Sequence, residues 1–186
     1  MMQRRSPRGF TLVEMIVSVG IFSVVMLIVT GAYLALIDLD RKARATNQLV
    51  ASLSFALDSM ARAIRTGTAY ACSPGPNNTD GTCHQISFTD SNIGQTVTYR
   101  LNSNGTIGSC TGSGACNDST AIELTDRRIA IGESDLTFYV QGVGTGDGIQ
   151  PYVIISVRGK MQSGNTSQAS TTFSVQTSAA QRLPDL

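Results

Sequence analysis

The sequence predicts an α+β protein: a long N-terminal helix, apolar in its first half and amphipathic in its second, packed on an antiparallel β-sheet head. Three observations predict it. Residues Met15 to Ile37 run for 23 positions without a charge. Beyond them Leu49, Leu53, Leu57, Met60 and Ile64 recur at steps of three and four, the spacing that sets side chains on one helical face. From residue 67 onward, short alternating apolar runs lie in a background rich in Gly, Ser, Thr and Asn, the pattern of half-buried strands separated by turns.

The uncharged run comes first in the chain. At a rise of about 1.5 Å per residue, roughly 20 apolar residues cross a bilayer, so this run suffices as a membrane segment. Arg4, Arg5 and Arg8 precede it, whereas Arg41, Lys42 and Arg44 follow it with Asp38 and Asp40 among them. The basic flank stays cytoplasmic, which predicts a single pass with the N-terminus inside and the rest outside. The apolar run has no A-x-A-like stop behind it, so a secretory cleavage that would remove the anchor is not expected.

The amphipathic segment continues the helix, with Asp58, Arg62 and Arg65 between the apolar positions. Its stripe is read as a core face beneath the protein's own sheet. Thr66-Gly67 supplies a stop, with Gly67 able to take the left-handed C-terminal conformation. A helix from Phe10 to Thr66 would have 57 residues and a length of about 85 Å. The 120 residues from Gly67 onward make one small domain. Strands are expected around Val97, Tyr99 and Leu101; Ile122 and Leu124; Leu136, Phe138 and Val140; Val153, Ile155 and Val157; and Phe173 and Val175. Asn104-Gly105 signals a turn, and the last two strands read as a hairpin joined by the polar loop Gly159 to Ser170. One antiparallel sheet laid on the helical stripe would bury both faces that need burial.

The segment Arg8-Gly9-Phe10-Thr11-Leu12-Val13-Glu14, followed at once by the uncharged run, resembles the processing site of type IV prepilins and type II secretion pseudopilins. In that family a membrane-embedded prepilin peptidase cuts after the glycine and methylates the new amine. The resemblance therefore implies cleavage between Gly9 and Phe10, methylation of Phe10, and Glu14 as the fifth residue of the mature chain. It divides the sequence into a leader 1–9, a membrane and filament-core helix half 10–37, an amphipathic half 38–66 and an extracytoplasmic β-rich head 67–186. The implied partners are prepilin peptidase, other pilin or pseudopilin subunits, the inner-membrane assembly platform, and membrane lipid before assembly. The implied location is the inner membrane, then a cell-surface or periplasmic filament. A carboxylate in a membrane helix costs about 2.5–3.5 kcal/mol on insertion scales and calls for a partner. In the family that partner is the amine of a neighbouring subunit. Where many major pilins carry a mid-span proline, this chain has Gly31 after Thr30, a softer weak point or a small residue for close helix packing. The runs Ile122 to Thr125, Leu136 to Tyr139, Pro151 to Val157 and Phe173 to Arg182 resemble the PilW/GspJ group of minor subunits, which implies a place near a filament tip.

The four cysteines fall into two local pairs, Cys72 with Cys83 and Cys110 with Cys116, expected in Gly, Ser, Asn and Pro-rich loops of the part placed outside. Two local disulfides are the first expectation in an oxidising compartment, although sequence also allows the crossed connectivities. A zinc site from these cysteines and His84 has no C-x-x-C spacing to support it. His84 is the single histidine, and nothing around it resembles a nucleophile motif, so no catalytic residues and no cofactor are assigned. The run Gly142 to Gly148 lacks the ending of a phosphate loop. Asp80, Asp118 and Asp147 lie in loops without a calcium-loop pattern. Asn104, Asn117 and Asn165 begin glycosylation sequons of the kind chance produces in such a composition.

Charge closes off one partner class. The chain carries 14 Lys and Arg against 13 Asp and Glu, and without Arg4, Arg5 and Arg8 the balance is 11 against 13. No basic field remains to neutralise nucleic-acid phosphates. The leading expectation is a structural, non-enzymatic and minor filament subunit. The alternative is a membrane-tethered binding or adhesion module that uses a pilin-type export signal, with a hydrolase on such an anchor as a third.

Overall fold

Thr11 opens the helix, because its side-chain oxygen accepts a hydrogen bond from the Glu14 amide at 3.3 Å and its carbonyl accepts the first helical bond from Met15. Helix α1 then runs over Leu12–Arg65 without a break, through Gly31. A computed structural model of the chain describes residues 9–73, 82–143, 148–162 and 170–182. The chain separates into two compact units, 1–43 and 44–186. Arg4, Arg5 and Arg8, the calcium candidates Asp80 and Asp147, the sequon at Asn165 and the middle of the Gly142 to Gly148 run lie outside the described residues.

In the first unit, α1 carries no charge from Met15 to Ile37, and from Leu12 and Val13 to Leu34 and Leu36 its large apolar residues face outward. In the second unit the helix has one buried face. Leu49, Leu53, Ala56, Leu57, Met60, Ala61 and Ile64 are buried, the five stripe positions read from sequence with two alanines that let the sheets approach. Fully burying each large side chain contributes about 1.5–3 kcal/mol.

The helix ends at Arg65 because its last carbonyls find partners elsewhere, as helix ends must. The Tyr70 hydroxyl lies 2.6 Å from the Ile64 carbonyl and 2.8 Å from that of Gly67, and the Arg182 amide donates to the Arg65 carbonyl at 2.8 Å. Gly67 does not take the left-handed conformation expected of it: it begins β1, Gly67–Ser73, and its backbone φ is not positive. The glycine serves for room, since a Cβ there would run into the Phe88 ring.

Among the described residues the head contains two antiparallel five-stranded sheets, where sequence predicted one. After β1 come β2 (Thr82–Cys83), β3 (Gln85–Asp90), β4 (Gln95–Leu101), β5 (Ile107–Thr111), β6 (Ile122–Glu123), β7 (Ile129–Ala130), β8 (Leu136–Gln141), β9 (Tyr152–Gln162) and β10 (Ser170–Ala180). The first sheet has the order β1-β3-β4-β5-β6; the second has β10-β9-β8-β2, with β7 also paired to β9. Their inner faces and the helical stripe form one core: Ile86, Phe88, Val97, Tyr99 and Ile107 from the first sheet, and Leu136, Phe138, Val153, Ile155, Val157 and Met161 from the second. Phe88 sits between Tyr70 and Tyr99, with ring centroids 5.9 and 5.8 Å away.

Predicted strands β4, β8, β9 and β10 are present; β8 and β9 alternate buried and outward residues, whereas β4 buries Val97, Thr98 and Tyr99 in succession. Asn104-Gly105 turns the chain from β4 to β5, with Gly105 at φ 78° and its amide on the Asn102 carbonyl at 2.9 Å. The last hairpin is longer than predicted. β9 extends through Gln162 and β10 starts at Ser170, in unbroken register across eleven pairs, so much of the stretch read as loop is strand. Ile122 and Leu124 do not share a buried face: Ile122 is 70% exposed, and Leu124 lies just past β6 and packs against the core.

Candidate processing and assembly site

Gly9 and Phe10 precede α1, so the peptide bond between them belongs to no helical turn. A Cβ built on Gly9 would touch nothing within 4 Å, and Phe10 is 78% exposed. The bond can therefore be reached without unwinding a hydrogen-bonded helix. Thr11 fixes that boundary. It is the N-cap, and Glu14, three residues later, occupies the first turn where negative charge meets the helix dipole favourably. Thr11-x-x-Glu14 is the sequence pattern of a capping box. Sequence reasoning singled out Glu14 and passed over Thr11, although the signal was legible in those four letters.

Along the exposed apolar unit, polar side chains turn inward to the helix's own backbone. The hydroxyls of Ser18, Ser23 and Thr30 donate to the carbonyls of Met15, Val19 and Met26 at 3.0, 2.8 and 2.8 Å. A hydroxyl satisfied in this way presents hydrocarbon outward and can enter an apolar medium without an orphaned donor. Glu14 is thus the one charged side chain between Phe10 and Ile37. Around Gly31 the space is open, with nothing within 4 Å of a Cβ built there.

The cysteines form two local disulfides, Cys72–Cys83 and Cys110–Cys116, with Cα atoms 5.5 and 5.6 Å apart. They do not all lie in loops, as sequence suggested: Cys72, Cys83 and Cys110 stand on β1, β2 and β5, and only Cys116 is in a loop. The first bridge ties an edge of one sheet to an edge of the other. The second closes the loop 110–116; two residues beyond it the Asp118 carboxylate lies 3.0 Å from the Arg100 guanidinium. Hydrogen bonds from the Ser103 hydroxyl and amide, with the Arg100 charge, hold the Asp118 carboxyl below its usual range. A carboxylate so engaged is a strut of the loop.

His84 is also engaged: its Nδ1 donates to the Leu136 carbonyl at 2.8 Å, pinning β8 to the start of β3. Among the described residues, no three His, Cys, Asp or Glu side chains come together as metal ligands. Asn104 and Asn117 are built into turns. Asn104 donates to Glu123 at 2.9 Å, and the Asn117 side-chain oxygen accepts from the Ser119 and Thr120 amides.

Comparison with known proteins bears on the N-terminus alone. The model of the prokaryotic N-terminal methylation motif matches residues 4–30. No curated protein and no solved structure matches the chain. The matched stretch contains the Gly9–Phe10 bond, the Thr11 cap, Glu14 and most of the exposed apolar helix.

Proposed function

We propose that the chain is the precursor of a type IV pilin-like or pseudopilin subunit, cut by prepilin peptidase between Gly9 and Phe10 and methylated on the new Phe10 amine. The methylation-motif match over residues 4–30 carries this reading. It is supported by the helix it covers: apolar on every side, long enough to cross a bilayer, and charged only at Glu14. Such a surface needs lipid or other helices around it. The leader 1–9 stays on the cytoplasmic side, residues 10–37 first anchor the protein in the inner membrane, and the head stands outside.

In the filament the same helix half packs among those of other pilin or pseudopilin subunits, added through the inner-membrane assembly platform. The Glu14 carboxylate, in apolar surroundings that cost it about 2.5–3.5 kcal/mol, is neutralised by the Phe10 amine of a neighbouring subunit, and this pairing sets the axial register. The head, held by its own core and two disulfides, supplies contacts outside the membrane; on the resemblance of the sequence runs Ile122 to Thr125, Leu136 to Tyr139, Pro151 to Val157 and Phe173 to Arg182 to the PilW/GspJ group, we place the chain among minor subunits near the filament tip. The role is structural, with no catalytic residues.

Mass spectrometry of the protein recovered from cells tests the reading. It should begin at N-methyl-Phe10; a chain still beginning at Met1 or Met2, or cut beyond the anchor, would overturn it. Glu14→Ala should be processed normally but be depleted from sheared filaments, and unaltered incorporation would remove the register role.

A further inference from the structure

Sheet edges are open hydrogen-bonding templates, and soluble heads blunt them with short strands, bulges or charges. Here β2, β6 and β7 are two residues long. Edge strand β1 is broken by a register shift between Thr68 and Ala71, with Ala69 at φ 55°. β10 differs on every count. It has eleven residues, Ser170–Ala180, and pairs with β9 without a bulge. It contains no charge and no proline. On its other side no strand pairs with it among the described residues. Its inward row is incompletely covered: Phe173 is only partly buried and Val175 is 37% exposed.

We propose that β10 pairs edge to edge with β10 of a second copy of this chain, antiparallel, about a two-fold axis through Val175. The strand's own geometry selects both occupant and register. In an isologous pair residue i faces residue j with i + j constant, and facing residues in an antiparallel ladder point to the same side of the sheet. An axis at Val175, the midpoint of Ser170–Ala180, leaves every residue of the strand paired, whereas moving it by one residue in either direction strands two. On the inner face it sets Val175 against Val175 and Phe173 against Thr177, covering the apolar row. On the outer face it sets Thr172 against Ser178 and Ser174 against Gln176. With no charge in the strand, self-pairing brings no like charges together. Eleven residues a side falls below the roughly 20–30 of a standard stable interface, so the pairing is concentration-dependent. It does not depend on removal of the leader.

Variants of the full chain with one added cysteine, the two native disulfides kept, test the pairing in detergent under mild oxidation. Val175→Cys should give a disulfide-linked dimer, mapped by mass spectrometry to 175–175 and increasing with protein concentration. Thr172→Cys and Ser178→Cys should each stay monomeric and link when mixed, because residue 172 lies about 20 Å from its own copy at ~3.4 Å per residue. Val175→Lys should abolish association while leaving the near-ultraviolet tyrosine signal of the head unchanged. Failure of the Val175→Cys thiol to cross-link while it reacts freely with a maleimide would overturn the proposal. So would its capture by a different protein, or self-linking of Thr172→Cys as readily as its linking to Ser178→Cys.

Discussion

A single methyl group at Gly67 tests how the helix is joined to the head. The Cβ of Gly67→Ala would overlap Cδ2 of Phe88 and stand 3.1 Å from its Cγ and Cε2, inside ordinary carbon contact. The ring has little room to retreat: Phe88 is 1% exposed and is flanked by Tyr70 and Tyr99. Tyr70 is held in turn by the Ile64 and Gly67 carbonyls, so a shifted ring also disturbs the end of α1. Overpacking of this kind costs about 1–3 kcal/mol. The backbone at Gly67 is not in the left-handed region, so the cost is steric and should be relieved by shrinking the neighbour. The assay is urea unfolding of the full chain in detergent, followed by near-ultraviolet circular dichroism of tyrosine; the chain has five tyrosines and no tryptophan. Phe88→Leu alone should destabilise the head, yet cost less in the Gly67→Ala background, with a coupling of about 0.5–3 kcal/mol. A neutral Gly67→Ala, or two strictly additive costs, would refute the reasoning.

Leu53→Ala should cost the head about 2–5 kcal/mol in the same assay, because Leu53 is 2% exposed. Phe55→Ala, at 73% exposed on the same helix, should cost under about 0.5 kcal/mol; equal costs would show that the stripe is misassigned. Alkaline titration should destabilise the head between pH 10 and 12. Burial raises Tyr70 and Tyr99 from 10.0 to about 12, so the unfolded chain loses these protons first and stability falls as pH rises through that window. A head equally stable at pH 9 and pH 11.5 would contradict this. Replacing Cys110 and Cys116 together by serine should cost about 2 kcal/mol from loop closure and return the Asp118 carboxyl toward its ordinary range, read by carboxylate NMR titration. An unmoved Asp118 would mean that the bridge does not position it.

Local signals were legible in the sequence and long-range ones were not. The helix was readable because Leu49, Leu53, Leu57, Met60 and Ile64 repeat within themselves, and only its ends moved: Phe10 and Thr11 fall outside because Thr11 caps, and Thr66 because the carbonyls of the last turn are taken by Tyr70 and Arg182. Strands β8 and β9 were readable for the same reason. β3 offered only Ile86 and Phe88, and the bulge at Ala69 breaks the period of β1. β5 was hidden by Gly108, which is small because a Cβ there would collide with the Asn102 side chain. That the strands divide into two sheets depends on partners distant in sequence, about which no single run speaks. The candidate N-terminal site is local, since Gly9, Phe10 and Glu14 lie within six residues, and only the Thr11 cap was passed over.

The apolar half of α1 helps explain how so short a motif could carry the proposed function. A helix with hydrocarbon on every side gains little from exchanging lipid for other apolar helices, because the two neighbours are nearly equivalent as solvents. On the proposed reading, a subunit could therefore leave the bilayer for a filament at small cost, but nothing in the apolar surface would tell it where along its neighbour to stop. Ser18, Ser23 and Thr30 cannot supply that information, since their hydroxyls are spent on their own helix. Glu14 remains. Its carboxylate is the one feature of the segment whose energy depends steeply on position, and the Phe10 amine released by cleavage is the one opposite charge the processed segment would offer. Glu14→Asp should make the distinction: the charge is kept but drawn back by about one methylene, so processing should be unaffected while filament yield falls. A yield equal to that of the parent chain would mean that charge alone suffices and that register is set in the head.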